Sequence, residues 1–193
     1  MARAGDVIEH LTGEHFTFRK TAEDTGGELV RIEALVEPRG FAAAEHVHPR
    51  QEERFEILSG TIRYRVEGVE RLAGAGEELV IPRGVTHVWE NAGEDDLHMF
   101  VEFRPALRTE EFFESYFGLG QDGLTNPKTG LPNLVRMAVL LNEFREEIHL
   151  SRPPLLVQRI VFGTLALVGK LLGYPARYPY PYERQREAST TTR

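Results

Sequence analysis

Between Glu14 and Arg104 the chain is a succession of short stretches in which apolar and polar residues alternate, each closed by Gly, Pro or Asp. Alternation with a period of two is the mark of a strand with one buried face. In the stretch from Val30 to Val36, Val30, Ile32, Ala34 and Val36 share one side, and Arg31 and Glu33 take the other. Turn chemistry follows at Pro38-Arg39-Gly40 and returns at Glu67-Gly68, Gly74-Ala75-Gly76, Pro82-Arg83-Gly84 and Asn91-Ala92-Gly93,. Short, evenly punctuated strands of this kind predict an antiparallel barrel or sandwich.

After Pro105 the period lengthens to that of a helix. Thr109 is placed to cap a helix starting at Glu110-Glu111-Phe112-Phe113, with two acids in its first turn,. A loop from Gly118 to Gly130 precedes a second helix expected from Pro132 to about Ile148, with an apolar stripe through Leu134, Met137, Leu140, Leu141 and Phe144,. A third is expected from Pro153-Pro154 to about Leu172, apolar nearly all round between Ile160 and Val168,. Its uncharged run between Arg159 and Lys170 is ten residues, against the roughly 20 that a bilayer requires, so no transmembrane span is expected. That helix should instead be covered by the barrel, by a partner subunit or by a membrane surface. The predicted fold class is therefore mainly β: an antiparallel β-barrel over residues 1–106 followed by a helical extension over 107–173. Residues 174–193, with Tyr-Pro repeats and a Ser-Thr run, are expected to be extended and disordered,.

Charge excludes one class of partner. Twenty-three Lys and Arg stand against 30 Asp and Glu, a formal net charge of −7, and Arg63, Arg65 and Arg71 are interleaved with Glu67 and Glu70. Nucleic acid is not expected to bind such a surface. The chain has no cysteine, which rules out disulfides and leaves imidazole and carboxylate as ligands for any metal. The first residues lack the apolar core of a secretory signal, so a cytoplasmic location is expected,.

Two stretches carry chemistry. The first contains Gly40, His46, His48, Glu53 and Gly60, and a His-x-His pair on a strand points both rings to one side,. Such a pair alone is common on solvated strands. The second contains Gly76, Pro82, Gly84, His87 and Asn91, with a turn just ahead of an isolated histidine. Taken together, the two stretches resemble the paired signature motifs of the cupin superfamily, with every motif position and the 15-residue spacing between Gly60 and Gly76 in agreement.

The resemblance covers about Phe16 to Pro105. It implies a jelly-roll barrel of six to eight strands with one divalent metal held by His46, His48, Glu53 and His87. Three neutral nitrogens and one carboxylate suit Fe, Mn, Ni, Cu or Zn, and leave coordination positions open for substrate or dioxygen. Glu52 adjoins Glu53, but only Glu53 has the family spacing to Gly60. Phe55 and Ile57 share strand parity with Glu53, and Trp89 shares it with His87. All three are candidate pocket residues, although Phe55 and Ile57 fit a barrel core at least as well. Glu52 and Trp89 are the neighbours nearest to a catalytic role. On the last strand the sequence leaves open whether Val101 and Phe103 or Glu102 and Arg104 face inward. His10, His15, His98 and His149 have no ligand spacing.

The resemblance further implies a small-molecule substrate and, as the leading expectation, a dioxygenase-type oxidoreductase. A non-redox isomerase, cyclase or lyase and a non-catalytic ligand-binding cupin are the alternatives. A homodimer is expected, with the helical extension serving as a lid, a dimer interface or a membrane-surface contact.

Overall fold

A computed structural model describes residues 2–42 and 44–182. Two antiparallel sheets face each other across a common core. The first is built from β1 (Val7–His10), β2 (Glu14–Lys20), β3 (Val30–Val36), β10 (Leu97–Arg104), β5 (Glu52–Ser59) and β8 (Glu78–Ile81), in that order. The second runs β11 (His149–Leu150), β4 (His46–Val47), β9 (Thr86–Asn91), β6 (Thr61–Val66), β7 (Val69–Gly74). Val30, Ile32, Ala34 and Val36 are buried on β3 as their alternation predicts. On β10 the buried pair is Val101 and Phe103. Glu102 and Arg104 face outward, where Glu102 accepts hydrogen bonds from Arg31 and Arg104.

Strand β1 lies outside the stretch expected to form the barrel. It hydrogen-bonds along β2 from Val7 opposite Thr17 to His10 opposite Glu14, and Ile8 joins the core. Four residues give too few alternations for a period to show.

Three helices follow: α1 (Thr109–Gln121), α2 (Leu134–Glu143) and α3 (Leu155–Leu171). Thr109 does not cap α1. It is the first helical residue, and its hydroxyl donates to the Ala106 carbonyl while accepting from the Gln51 amide. Helix α2 is shorter than its apolar stripe predicts. Asn133 caps it by accepting from the Val135 and Arg136 amides, an arrangement that contributes about 1 kcal/mol. The chain leaves the helix at Phe144, so that β11 can pair with β4. Phe112 and Phe117 of α1 and Phe144 are buried, fixing the helices on the barrel.

Helix α3 packs on α2 through Phe162, Ala166 and Gly169, and Gly169 is required because a Cβ there would overlap Val139. Its other side is not covered by the described residues. Leu156, Ile160, Leu167 and Leu171, spaced four, seven and four apart, form one stripe, and Leu171 is 88% exposed. Neither the barrel nor α2 covers it. Among the described residues no helix is long and apolar enough to cross a membrane.

Residues 174–182 are not disordered as expected. Tyr180 is buried in the barrel core cluster and its hydroxyl accepts from the Glu9 amide at 2.9 Å. A Tyr-Pro repeat carries enough aromatic surface to dock on an existing core, an outcome composition alone does not reveal. The rest of the expected tail, 183–193, lies outside the described residues.

Candidate metal centre

The structure brings His46, His48, Glu53 and His87 together, all buried, with one ligand atom from each within 4.8 Å of the others. Pairing sets most of this geometry. β4 and β9 align His46 directly opposite His87, and His48 follows two residues on. Glu53 comes from β5, on the facing sheet. The turn between β8 and β9 is fastened to the site by the Gly84 amide, which donates to the His48 carbonyl at 2.8 Å. Gly84 holds φ +81, a conformation that glycine adopts without strain. Asn91 secures the far end of β9, its amide donating to the Val36, Glu37 and Asp95 carbonyls.

The ring orientations test whether these residues suit an ion. Each imidazole places Nδ1 on a backbone carbonyl: His46 on Ala44 at 2.8 Å, His48 on Glu147 at 2.7 Å and His87 on Val85 at 3.0 Å. A carbonyl only accepts, so Nδ1 carries a proton and Nε2 is the atom turned toward the cluster, the orientation a metal-ligating histidine needs. His87 Nε2 lies 2.7 Å from Glu53 Oε2, and His48 Nε2 lies 3.6 Å from the same oxygen. Several lone pairs and a carboxylate aimed at one buried point require a cation there, whether a proton or a metal. The donor set fits a divalent transition metal.

Burial, aided by the neighbouring His87 and His48, lowers His46 to about 3. His48 is lowered too, again chiefly by burial. For His87 and Glu53 burial works against the charged forms, but the proton held between them outweighs it, raising His87 and lowering Glu53; a metal ion would take that proton's place. Neutral imidazoles beside an ionised carboxylate are the form that binds metal.

Glu52 does not join the group. Its carboxylate turns outward and accepts from Arg54 at 2.6 Å. Phe55 and Ile57 are barrel core and do not line the cavity above the ligands, because their side chains are taken up between the sheets. Trp89 does line it.

That cavity, about 90 Å³ of space open to a water-sized sphere, was not legible as a whole. Its floor is the ligand cluster, and one wall comes from the helices through Phe112, Phe113, Tyr116, Met137 and Leu140. No Lys or Arg lines it among the described residues. Glu14 does, and the strand pattern gave no sign of it. The extension also supports the ligands. The carbonyl that holds His48 belongs to Glu147, whose side chain is gripped by Arg108, as is that of Glu143.

Similarity to known proteins is concentrated in the barrel. An oxidoreductase of Arthrobotrys oligospora is 26% identical over 163 residues, covering 77% of this chain and 62% of that protein. Germin-like protein 3-5 of Oryza sativa subsp. japonica is 30% identical over 113 residues, 53% of this chain and 50% of that one. The chain thus spans less than two thirds of the length of these relatives. A solved RmlC-like cupin from Shewanella frigidimarina aligns with a TM-score of 0.48 at 16% identity, covering 57% of this chain and 92% of that one. Residues 32–103 match the family model described as a cupin domain, and both motifs lie in register on that barrel, so this part of the chain is a cupin domain.

Proposed function

We propose that this chain is a metal-dependent oxidoreductase of dioxygenase type acting on a small organic molecule. The observation that carries the reading is the set of converging Nε2 atoms and the Glu53 carboxylate at the floor of an apolar cavity. The oxidoreductase relative supports it, since a 163-residue alignment is longer than the barrel. A bound redox-active divalent ion would supply the electron exchange that reaction with dioxygen needs. The chain's own residues then have two tasks. The imidazoles and Glu53 hold the ion with three backbone carbonyls fixing the rings, and the aromatic walls exclude water from the reacting groups.

Oxygen uptake by iron-, manganese-, nickel- and copper-loaded protein, measured over a panel of enolisable and catecholic compounds, tests this. Uptake that disappears in Glu53→Ala supports it, and no uptake with any compound overturns it. Turnover that persists without oxygen and with Zn(II) would establish the non-redox alternative, an isomerase, cyclase or lyase.

The same reading assigns the uncovered stripe of α3 to a second copy of the chain, making a homodimer. Four aligned large apolar side chains in water are what an interface leaves when its partner is removed,. Sedimentation equilibrium should show a dimer that becomes monomeric in Ile160→Glu/Leu167→Glu, with the helical signal retained. A monomeric native chain would refute the assignment.

A further inference from the structure

A second buried polar group reaches the cavity, far from the metal ligands. The Thr12 hydroxyl donates to Glu14 Oε2 at 2.7 Å and lies 2.6 Å from His10 Nδ1. The Thr12 amide donates to the same Nδ1 at 3.4 Å, and the His10 ring is held in place by stacking on Tyr116, with ring centroids 4.6 Å apart. The Tyr116 hydroxyl is engaged elsewhere, donating to the Gly130 carbonyl.

This chain of hydrogen bonds ends at Glu14, whose Oε2 accepts from Thr12 and lies 3.8 Å from His10 Nδ1. Glu14 and Glu53 are the two carboxyl groups lining the cavity. They stand apart on the first sheet: Glu14 aligns through Val36 with Leu97, whereas Glu53 aligns with Phe103, six residues along β10. Between them the wall is apolar and without a cation. A buried carboxyl oriented by a relay, with capacity left for one more hydrogen bond, is built to meet a polar group. It cannot welcome an anion, because no positive side chain among the described residues offsets a negative charge there,.

We propose that Glu14 is a specificity-determining residue that selects an uncharged, mainly apolar ligand carrying a hydroxyl group at the end remote from the metal. His10 and Thr12 are positioning residues that fix its carboxyl. This rests on the cavity being the substrate site of the function proposed above, and it narrows the substrate class from any small organic molecule to neutral alcohols or phenols with a long apolar body.

Trp89, the single tryptophan of the chain, lines the cavity and reports its occupancy by fluorescence. The probes are 4-propylphenol, propylbenzene and 4-propylbenzoate, titrated into Zn(II)-loaded full-length protein under nitrogen. The expected order is the phenol tightest and the hydrocarbon about tenfold weaker for want of one hydrogen bond, while a benzoate held by its carboxylate at the Zn(II) end gains nothing from Glu14 and is bound no more weakly by Glu14→Leu. Glu14→Leu should lose the tenfold preference while binding propylbenzene as before, Glu14→Gln should restore most of it, and Thr12→Val should lose part. Benzoate binding that weakens in Glu14→Leu, a Glu14→Leu variant that keeps the preference of phenol over hydrocarbon, or no saturable response to any probe overturns the proposal. The titration needs no turnover. Protein that binds the phenol through Glu14 yet consumes no oxygen would fail the oxidoreductase reading alone.

Discussion

Replacing His48 by alanine is expected to lower Zn(II) affinity by at least about two orders of magnitude, while Arg108→Met, which touches no ligand, lowers it by about tenfold. The first effect follows from removing one of four converging donor atoms. The second follows from the origin of the carbonyl that orients His48. That carbonyl belongs to Glu147, 99 residues away along the chain, just beyond α2. Glu147 is held by its hydrogen bond to Arg108 at 3.2 Å, and Arg108 also binds the Glu143 carboxylate at 2.8 Å and the Glu143 carbonyl. Without the guanidinium, the segment between α2 and β11 loses its anchor and the His48 ring loses its fixed tautomer. Partners of this kind typically contribute 10- to 100-fold to metal affinity. Calorimetric titration with Zn(II), alongside circular dichroism to verify the fold, measures both effects. A native-like Arg108→Met protein of unchanged affinity would show that the helical extension does not support the centre. A His48→Ala protein of unchanged affinity would show that the cluster is not the binding site.

The contrast between His48 and Glu147 also marks what the sequence can and cannot disclose. His46, His48, Glu53 and His87 were legible because each is fixed by local periodicity or by a turn, and the family spacing tied the two halves together. The inward faces of β3 and β10 follow the same logic, with Val101 and Phe103 settled once a second sheet is present to cover them. What local pattern cannot supply is the pairing of distant segments. The helices end where tertiary contacts end them: α2 stops at Phe144 though its apolar stripe runs on, because the following residues are drawn into β11 and the shell of His48. Phe55 and Ile57 show the reverse limit. Strand parity correctly places them on the inner face with Glu53, but an inner face has both core and cavity on it, and only the position of the second sheet and the helices divides the two. His10 has no ligand spacing and Glu14 only opens the first alternating stretch, so neither stands out in the sequence. They are buried because α1 and the loop at Gly130 close over them.

Glu14→Gln is expected to stabilise the protein at pH 8 by about 2–3 kcal/mol relative to its effect at pH 4.5, where the two proteins should differ little. Burial lifts the Glu14 carboxyl from 4.5 to about 7, with the Thr12 hydrogen bond opposing only part of the rise. The folded chain therefore keeps a proton that the unfolded chain releases. Between pH 4.5 and 7 unfolding liberates that proton, so native stability falls as pH rises through this window, and the whole penalty is present above it. Glutamine has the same shape, accepts the Thr12 hydrogen bond and carries no proton to lose. Other groups around the site do not produce the same signature. Burial holds His10 at about 4, so its contribution is lost as pH falls below its unfolded value of 6.5, a trend of opposite sign present in both proteins. The Tyr116 hydroxyl is pushed upward by burial and titrates above the window. Urea denaturation of native and Glu14→Gln protein at the two pH values isolates the term, because the acids common to both cancel in the difference. An equal difference at both pH values would mean that Glu14 is not held above its ordinary range. A carboxyl that titrates near neutrality can offer a ligand hydroxyl either a proton or a lone pair, so the buried relay would tolerate both orientations of that hydroxyl while its apolar surroundings still reject an anion.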